Sequence, residues 1–494
     1  MVPMSNNFSI GIVGSGTAGM IAGIIIRQAF PSSDVTIISS SKIGIIGVGE
    51  GSTEHWKRFM DLCEIPLHDL LTQTDATHKY GIRFENWHTK NTDYFHSVSG
   101  DDSGYHWSNF GLYAGFIEKN QFLTTAMTTD GFLKNRIRKY NLHSNTNQYH
   151  FDTMKLNAFF EKLCFERRIK VIDAEVKDVT LNVENGNIES VVLENTATVE
   201  ADFWIDATGL KRLLMTKLGA AKWNSFSKYL LVDSAIAFPT ESDPSGEIRP
   251  YTRARAASSG WIWEIPTQQR RGNGYVFASD FITEEEAVNE AQTVTGYSVD
   301  SHKTFKFDAG HLEQTWVKNC CAVGLASAFV EPLEATSIGT TIQQVIGLVG
   351  NLASYNENNQ HMQKFYNKKI NLMMDNVLTM IRLHYVSDRA DTPFWRAVSE
   401  MPLNPALEEL LELWSERLPM REDVSATNGE LFLPAHLIHV AQGQNLLNRN
   451  SSSTLLERLS IRGQVVQQMS NVMLARFDHE TVDHAQSLKD LYND

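Results

Sequence analysis

The sequence contains only four cysteines in 494 residues, and none of their spacings is one that binds a metal. Cys320 and Cys321 are adjacent, so on a strand their side chains would point to opposite faces. This usage argues against structural zinc and fits a reduced intracellular compartment. We therefore expect no bound metal.

Long apolar runs and basic runs are also missing. The longest apolar run, MIAGIII at 20–26, is too short to cross a bilayer, and the N-terminus has no basic segment leading into an apolar one. Asp plus Glu number 58 against 44 Lys plus Arg, and no basic stretch is long enough to follow a phosphate backbone. We expect a soluble, cytoplasmic protein without membrane or nucleic-acid partners; a homo-oligomer remains open.

What the sequence does contain begins at its N-terminal end. FSIGIVGSGTAGMIAGIIIRQAF, at 8–30, has the pattern of an apolar strand, a glycine turn and a helix, and SDVTIIS, at 33–39, has that of a second strand. Together they predict the opening βαβ unit of a dinucleotide-binding fold. The GxGxxG glycines of this unit are Gly14, Gly16 and Gly19.

Each glycine has a physical task in such a turn. The first permits the tight turn, the second lets backbone approach a pyrophosphate, and the third lets the helix pack on the strand. The helix N-terminus, at Thr17 and Ala18, then attracts the phosphates. The acidic residue expected at the end of the second strand is replaced by Ser39 and Ser40, and a serine can still hydrogen-bond a ribose.

Two later segments have the pattern of further strands of the same sheet. EADFWIDATGLKRLL, at 200–214, contains a strand before Gly209, and NCCAVGLASAFVEP, at 319–332, contains one before Gly324 and Leu325. Strands so widely separated predict an α/β, Rossmann-like fold of the FAD-binding monooxygenase type.

Inserted segments would complete this fold. We expect 85–200 and 212–310 to build a β-rich layer, and the chain to become helical from about 340. HMQKFYNKKINLMMDNVLTMIRLHY, at 361–385, has the spacing of one long amphipathic helix. The predicted division is a discontinuous FAD-binding core over 1–340 and a mainly helical substrate-pocket region over 341–494.

Several motifs resemble those of the flavin-dependent halogenases, of which the tryptophan halogenases are the familiar members. GWIWEIP, at 260–266, resembles the family's WxWxIP motif. The other matching segments are IGVGEGST at 46–53, HKYGIRFENW at 78–87, QYHFDTMKLNAFF at 148–160, WVKNCCAVGLASAFVEPLEAT at 316–336 and LHYVSDRADTPFW at 383–395. The resemblance therefore extends over most of the chain.

The resemblance implies a mechanism and the residues that carry it out. Reduced FAD from a separate flavin reductase would react with O2, and halide would then be oxidised to hypohalous acid. Lys79 matches the lysine that directs this oxidant to an aromatic substrate, and Glu334 matches the catalytic glutamate. Halide would lie on the backbone N–H groups of Thr336 and Ser337. Without the resemblance, Lys79 would be read as a surface charge and Glu334 as a salt-bridged structural residue.

The resemblance also implies which residues contact the flavin. Its motif near the flavin ring corresponds to Trp261, Trp263, Ile265 and Pro266, although alternating tryptophans on a strand are equally typical of a buried sheet face. The expected cofactor-binding residues are Gly14, Gly16, Thr17, Ala18, Gly19, Ser39, Gly47, Val48, Gly49, Glu50, Gly209, Gly324 and Leu325.

The sequence departs from the tryptophan-halogenase pattern at Ala335, Ser337 and Val98. The family's PLESTGI is PLEATSI here, which places Ala335 and Ser337 beside the glutamate and the halide, and predicts a preference for bromide or iodide. In the substrate pocket, the family's His-x-Phe step corresponds to His96 and Val98, so one aromatic face is lost. We therefore expect a free phenol, indole or heteroarene rather than tryptophan, and a carrier-tethered substrate remains the less favoured alternative.

Two other functions remain open on the same fold. An FAD-dependent aromatic hydroxylase would reduce its own flavin with NAD(P)H, and a flavin-binding protein without turnover would need neither Lys79 nor Glu334. The first alternative predicts NADPH consumption without a partner protein. The halogenase predicts dependence on a flavin reductase and on halide.

Overall fold

The structure is a computed structural model that describes residues 8–44, 49–89, 93–97, 114–115, 134–139, 148–356, 360–424, 431–460, 468, 471, 479 and 481–492. The described strands are β1 Ser9–Val13, β2 Asp34–Ser39, β3 Glu50–Gly51, β4 Thr77–Lys79, β5 Gly81–Glu85, β6 Tyr94–Ser97, β7 Arg136–Arg138, β8 Gln148–Phe151, β9 Lys170–Asp173, β10 Val176–Leu181, β11 Ile188–Leu193, β12 Thr198–Glu200, β13 Phe203–Asp206, β14 Trp223–Ser225, β15 Ser234–Glu241, β16 Thr252–Ala256, β17 Gly260–Pro266, β18 Arg270–Phe277, β19 Lys303–Lys306, β20 Gly310–Leu312, β21 Trp316–Val317, β22 Cys320–Ala322, β23 Ala328–Phe329 and β24 Thr481–Asp483.

The described helices are α1 Thr17–Ala29, α2 His55–Leu62, α3 Leu67–Gln73, α4 Thr153–Glu166, α5 Leu213–Lys217, α6 Glu284–Thr295, α7 Thr336–Leu352, α8 Gln360–His384, α9 Pro393–Glu400, α10 Pro405–Glu416, α11 Pro434–Gly443, α12 Arg449–Arg458 and α13 His484–Asp490. Short 3₁₀ turns occur at Gly209–Lys211, Gly324–Ala326, Pro332–Glu334 and Arg421–Asp423.

The first layer is a six-stranded sheet in the order β21-β22-β13-β1-β2-β9. All its neighbouring strands are parallel except the edge pair β21 and β22. β13 and β22 thus return to β1 from far along the chain, which confirms the predicted α/β fold. Cys320 and Cys321 pack into different core clusters, as expected for neighbours on a strand. Helix α1 packs on α4 and α7, because its apolar residues from Met20 to Ile26 are buried.

The second layer is a seven-stranded sheet in the order β19-β15-β18-β17-β16-β5-β6. Its strands come from 81–97 and 234–306, which confirms a β-rich layer. The prediction that residues 85–200 belong to this β-rich layer was wrong in part. Residues Thr153–Glu166 form a helix, and Lys170–Asp173 join the edge of the first sheet beside β2.

From Thr336 onward the elements that the structure describes are helices apart from the short strand β24, and the predicted amphipathic helix is confirmed as α8. Helix α11 packs against α8 and against strand β6 of the second sheet. None of the helices that the structure describes is both long and apolar enough to span a membrane.

Candidate active site

A glycine-lined cradle lies where β1, β2, β13 and β22 end. The N–H of Gly14 donates to the carbonyl of Ile38 at 2.8 Å, and Gly14 adopts φ +106°, which disfavours other residues. A Cβ atom on Gly14 would lie 2.3 Å from the Ala207 carbonyl oxygen, and one on Gly324 would lie 2.5 Å from Ala18 Cβ. These glycines therefore allow the ends of the strands and the start of α1 to meet.

The same cradle leaves room for a ligand. Cβ atoms on Gly16 and Gly209 would meet nothing within 4 Å, whereas one on Gly19 would lie 2.0 Å from the Gly14 carbonyl oxygen. Gly16 caps α1 without a side-chain hydrogen bond, so the N–H groups of Thr17 and Ala18 can receive a phosphate. The end of β2 adds the Ser39 hydroxyl, and Leu325 follows Gly324 in a 3₁₀ turn. The donors and the open space fit the pyrophosphate of FAD.

Residues 49–53, called the strap here, connect the cradle to the remaining motifs. Gly47 and Val48 lie outside the described residues. Gly49 packs on β17 and β18, since a Cβ there would lie 3.6 Å from Ile265 and 3.2 Å from Gly272. Burial raises the pKa of Glu50 to about 7, and its Oε2 has no hydrogen-bond partner among the described residues.

Strand β17 carries the paired tryptophans. Trp261 and Trp263 lie on one face of the second sheet with ring centroids 6.0 Å apart. Trp261 is buried, and its Nε1–H donates to Glu331 Oε1 at 3.1 Å. Gly274, opposite Trp263, leaves the space that the Trp263 ring fills. The strand ends at Pro266, whose carbonyl accepts from the Thr77 hydroxyl at 2.8 Å.

Lys79 ends strand β4, and its side chain is buried with 1% exposure. Its Nζ donates to the carbonyl of Ser52 in the strap at 2.9 Å. Burial lowers the pKa of the Lys79 amine to about 8, partly opposed by the negative charge of Glu334. The preceding residue is also held in place, because the N–H of His78 donates to Nε2 of His484 at 3.2 Å. The site thus holds a fixed amine that is partly neutral near physiological pH.

Glu334 lies in the 3₁₀ turn before α7 and is 2% exposed. Nδ1 of His96 lies 2.9 and 3.0 Å from its two oxygens, and Nε2 of His384 lies 2.8 Å from Oε1. Burial by itself raises the pKa of Glu334, but the His96 and His384 contacts outweigh burial and hold it well below its ordinary value. Glu334 is therefore ionised.

Gly51 lies close to both the amine of Lys79 and the turn that carries Glu334. A Cβ on Gly51 would lie 3.4 Å from Lys79 Nζ and 3.4 Å from Ala335 Cβ, so the lysine amine and the turn that carries Glu334 meet across this glycine. No carboxylate among the described residues forms an ion pair with Lys79. The amine and the carboxylate are thus close but separately bound.

Helix α7 begins directly after Glu334. Its N-cap, Ala335, has φ +53° and no capping side chain, so N–H groups at Thr336 and Ser337 are left for another acceptor. Thr336 is buried, and the carbonyl of Ser337 accepts from the hydroxyls of Thr340 and Thr341 at 3.0 and 2.8 Å. The positive end of the helix dipole favours an anion here.

A second buried carboxyl group lies one turn before Glu334. Oε1 of Glu331 accepts from Trp261 Nε1 and, at 2.7 Å, from the hydroxyl of Tyr385, while Oε2 has no partner among the described residues. Burial raises the pKa of Glu331 to about 8. Glu331 is thus held toward its neutral form at pH 7 and connects β17 to Tyr385, the residue that follows α8.

The structure brings most of the predicted residues together. Lys79, Gly49, Ile265 and Glu334 converge around the strap, while Val98 lies outside the described residues. His96 is 0% exposed and has both ring nitrogens in contact with protein, so its place in a substrate pocket remains a prediction. Sequence reasoning missed five residues that support the site, although all except His436 lie inside motifs that were recognised: Gly51, Ser52, Glu331, His384 and His436.

Comparisons with known proteins agree with this geometry. A family model described as tryptophan halogenase matches residues 9–458. The chain is 31% identical over 433 residues to the tryptophan 7-halogenase RebH of Lentzea aerocolonigenes, which covers 82% of this chain and 81% of that one.

Solved structures show the same fold over almost the whole chain. The tryptophan 6-halogenase SttH from Streptomyces toxytricini matches with a TM-score of 0.89 and 25% identity, covering 98% of this chain and 100% of that one. BrvH, a flavin-dependent halogenase from Brevundimonas sp. BAL3, matches with a TM-score of 0.85 and 26% identity, covering 98% and 99%. The chain therefore belongs to the tryptophan halogenase family, whose members are flavin-dependent halogenating enzymes.

Proposed function

We propose that the chain halogenates a free aromatic molecule other than tryptophan, with Lys79 and Glu334 as its catalytic residues. The observation that carries this proposal is the buried amine that meets, across Gly51, the turn holding a buried carboxylate. When reduced FAD from a separate reductase is bound, it supplies the electrons with which O2 converts halide to hypohalous acid. The protein residues then hold and direct this oxidant.

Lys79 receives the oxidised halogen. A neutral amine is the nucleophile for this step, and a pKa of about 8 leaves a usable neutral fraction at physiological pH. The amine attacks the halogen of HOX, an N–X bond forms, an N–H proton joins the hydroxide, and water leaves. Its bond to the Ser52 carbonyl aims the amine during this exchange.

Glu334 receives the proton that the arene loses. Electrophilic attack by the N–X halogen forms the carbon–halogen bond, and the ring regains aromaticity when the proton at that carbon leaves. An ionised, fixed carboxylate is suited to accept this proton. The proton then returns to the Lys79 amine, so both groups end the cycle as they began it.

Halide is proposed to lie at the start of α7, on the N–H groups of Thr336 and Ser337. The uncapped N-terminus and the helix dipole support an anion there. Ser337 carries a side chain where the family has glycine, which changes the space available to the halide. Because bromide and iodide are easier to oxidise than chloride, we expect the enzyme to use them first.

The substrate proposal rests on His96. A histidine that stacks on an indole must present one ring face, but His96 is fully buried, with its nitrogens in contact with Glu334 and His436. His436 and His439 of α11 approach its ring in edge-on geometry. The stacking site for the tryptophan indole is therefore weakened.

The test is a halogenation assay with a supplied reductase. The protein, FAD, a flavin reductase and NADH are incubated with tryptophan, phenols, indoles and heteroarenes in parallel chloride, bromide and iodide buffers, and product masses are read. We expect halogenated phenol or indole but no halogenated tryptophan, with bromide or iodide ahead of chloride.

Two variants identify the catalytic residues. Lys79→Ala and Glu334→Gln should lose at least about 100-fold in product while binding FAD normally, since each removes a group that contacts the reacting atoms. Lys177→Ala, at an exposed lysine of β10, is the matched control and should keep wild-type activity. Products that gain a single oxygen regardless of halide would instead identify a hydroxylase.

A further inference from the structure

A continuous chain of side chains links Glu334 to Glu54 at the start of α2. Nδ1 of His96 contacts Glu334, as described above, and Nε2 of His96 lies 2.9 Å from Nδ1 of His436. On the far side, Nε2 of His436 lies 3.2 Å from Oε2 of Glu54. Two imidazoles thus stand between two carboxylates, with three polar contacts in series.

The number of protons in this chain follows from its geometry. Each of the three contacts needs one proton to be a hydrogen bond, and two neutral imidazoles supply only two. With both carboxylates ionised, the outer nitrogens must each carry a proton, and the two inner nitrogens must share a third. One of the two rings is then an imidazolium, and this single positive charge lies between the two negative carboxylates.

The third proton is better placed on His436. Each ring adjoins one carboxylate, but burial lowers the pKa of His96 more than Glu334 raises it, and the His436 side chain is 8% exposed against 0% for His96. Burial by itself raises the pKa of Glu54, but the charge and hydrogen bond of His436 lower it to about 2. The Glu54 side chain is 26% exposed against 2% for Glu334, so the chain runs from the buried site toward solvent.

We propose that Glu54 and His436 are positioning residues for Glu334. They act through His96 by holding a third proton among these side chains, and so keep Glu334 ionised and correctly oriented. This inference rests on the proposed function only for the task that Glu334 performs. Other ionisable groups that adjoin the chain come from β4, β6, α2, α8 and α11. They are Lys79, Tyr94, His55, Arg58, His384 and His439.

Neutral isosteres separate this role from a structural one. Glu54→Gln keeps the shape of the chain and removes the charge that holds the third proton, and His436→Gln removes the ring that carries it. In both variants we expect the pKa of Glu334, followed by ¹³C NMR of its side-chain carboxyl group, to rise by about one unit, because Glu334 loses a nearby positive charge. The double variant should move it no further than one single variant does, since both act through one chain.

His439→Gln is the matched control. This histidine also lies on α11 and is buried, and its ring centroid is 6.0 Å from that of His96, but it takes no part in the three contacts. The pKa of Glu334 should stay where it is in this variant. Equal Glu334 pKa values in wild type, Glu54→Gln and His436→Gln would overturn the proposal.

A second measurement needs no halogenation. In protein labelled with ¹⁵N at its 16 histidines, one ring should have both nitrogens protonated at pH 8, above the ordinary pKa of histidine. That signal should vanish in Glu54→Gln and persist in His439→Gln. If every histidine is neutral at pH 8, the inference fails, whatever the halogenation assay shows. If the signal behaves as expected but no halogenation occurs, the proposed function fails and the inference about the third proton is retained.

Discussion

The buried amine of Lys79 should make the protein less stable at neutral pH than it would be with an apolar side chain. Its pKa falls from 10.5 in the unfolded chain to about 8 in the fold. Because the unfolded chain binds the proton more tightly, stability rises with pH through the window between these two values. The penalty is about 3 kcal/mol at pH 7 and falls to about 1 kcal/mol at pH 10.

Lys79→Met removes this penalty and keeps a side chain of similar length. It also removes the bond to the Ser52 carbonyl, which costs about 1 kcal/mol at either pH. The variant should therefore gain stability relative to wild type at pH 7. The gain should shrink by about 2 kcal/mol at pH 10, whatever the value of the lost hydrogen bond.

Equilibrium urea unfolding at pH 7 and pH 10, followed by tryptophan fluorescence, measures this difference. Lys177→Met, at an exposed lysine of β10, is the control and should give the same change at both pH values. A Lys79→Met effect that does not depend on pH would refute the reasoning, because it would mean that the amine is not desolvated in the fold.

Two further substitutions test the space around the amine and the second buried carboxyl group. Gly51→Ala should keep the melting temperature within a few degrees but lower halogenation at least about tenfold, because its methyl group would lie 3.4 Å from Lys79 Nζ. Gly347→Ala in α7 should leave activity unchanged, and equal losses in the two variants would contradict the argument. Glu331→Gln should become more stable relative to wild type as pH rises from about 5 to 8, measured by urea unfolding, because the unfolded chain ionises this carboxyl over that range while the folded protein keeps it protonated. A pH-independent difference would show that Glu331 is already charged.

The elements that the sequence predicted depend on local requirements. The turn at Gly14 could be recognised because a positive φ and close backbone approach both require glycine. Helix α8 could be predicted from its apolar spacing, and the alternating Trp261 and Trp263 from strand periodicity. Lys79 and Glu334 were different, since no local pattern distinguishes them from other charged residues, and only the resemblance of their segments singled them out.

The parts that could not be predicted depend on contacts between distant segments. His96 and His436 are 340 residues apart in sequence, and nothing near either histidine indicates that they meet. His96 was expected beside the substrate because of its motif, but the motif does not state where its nitrogens will find partners. The strap is a similar case, because Gly51 comes close to Lys79 and Ala335 only in the fold, and neither residue is near it in sequence.

The separation of the charges on Lys79 and Glu334, the two residues proposed as catalytic, explains why the site needs so many supporting groups. If Lys79 and Glu334 formed a direct ion pair, each would stabilise the charge on the other, and the amine would be protonated far above pH 8. Instead the amine is bound by the neutral Ser52 carbonyl, and the carboxylate by His96 and His384. This division keeps the amine partly neutral and the carboxylate ionised at the same pH. Such a combination is what halogen transfer followed by proton removal requires, and it is why we assign a role to the histidines behind Glu334.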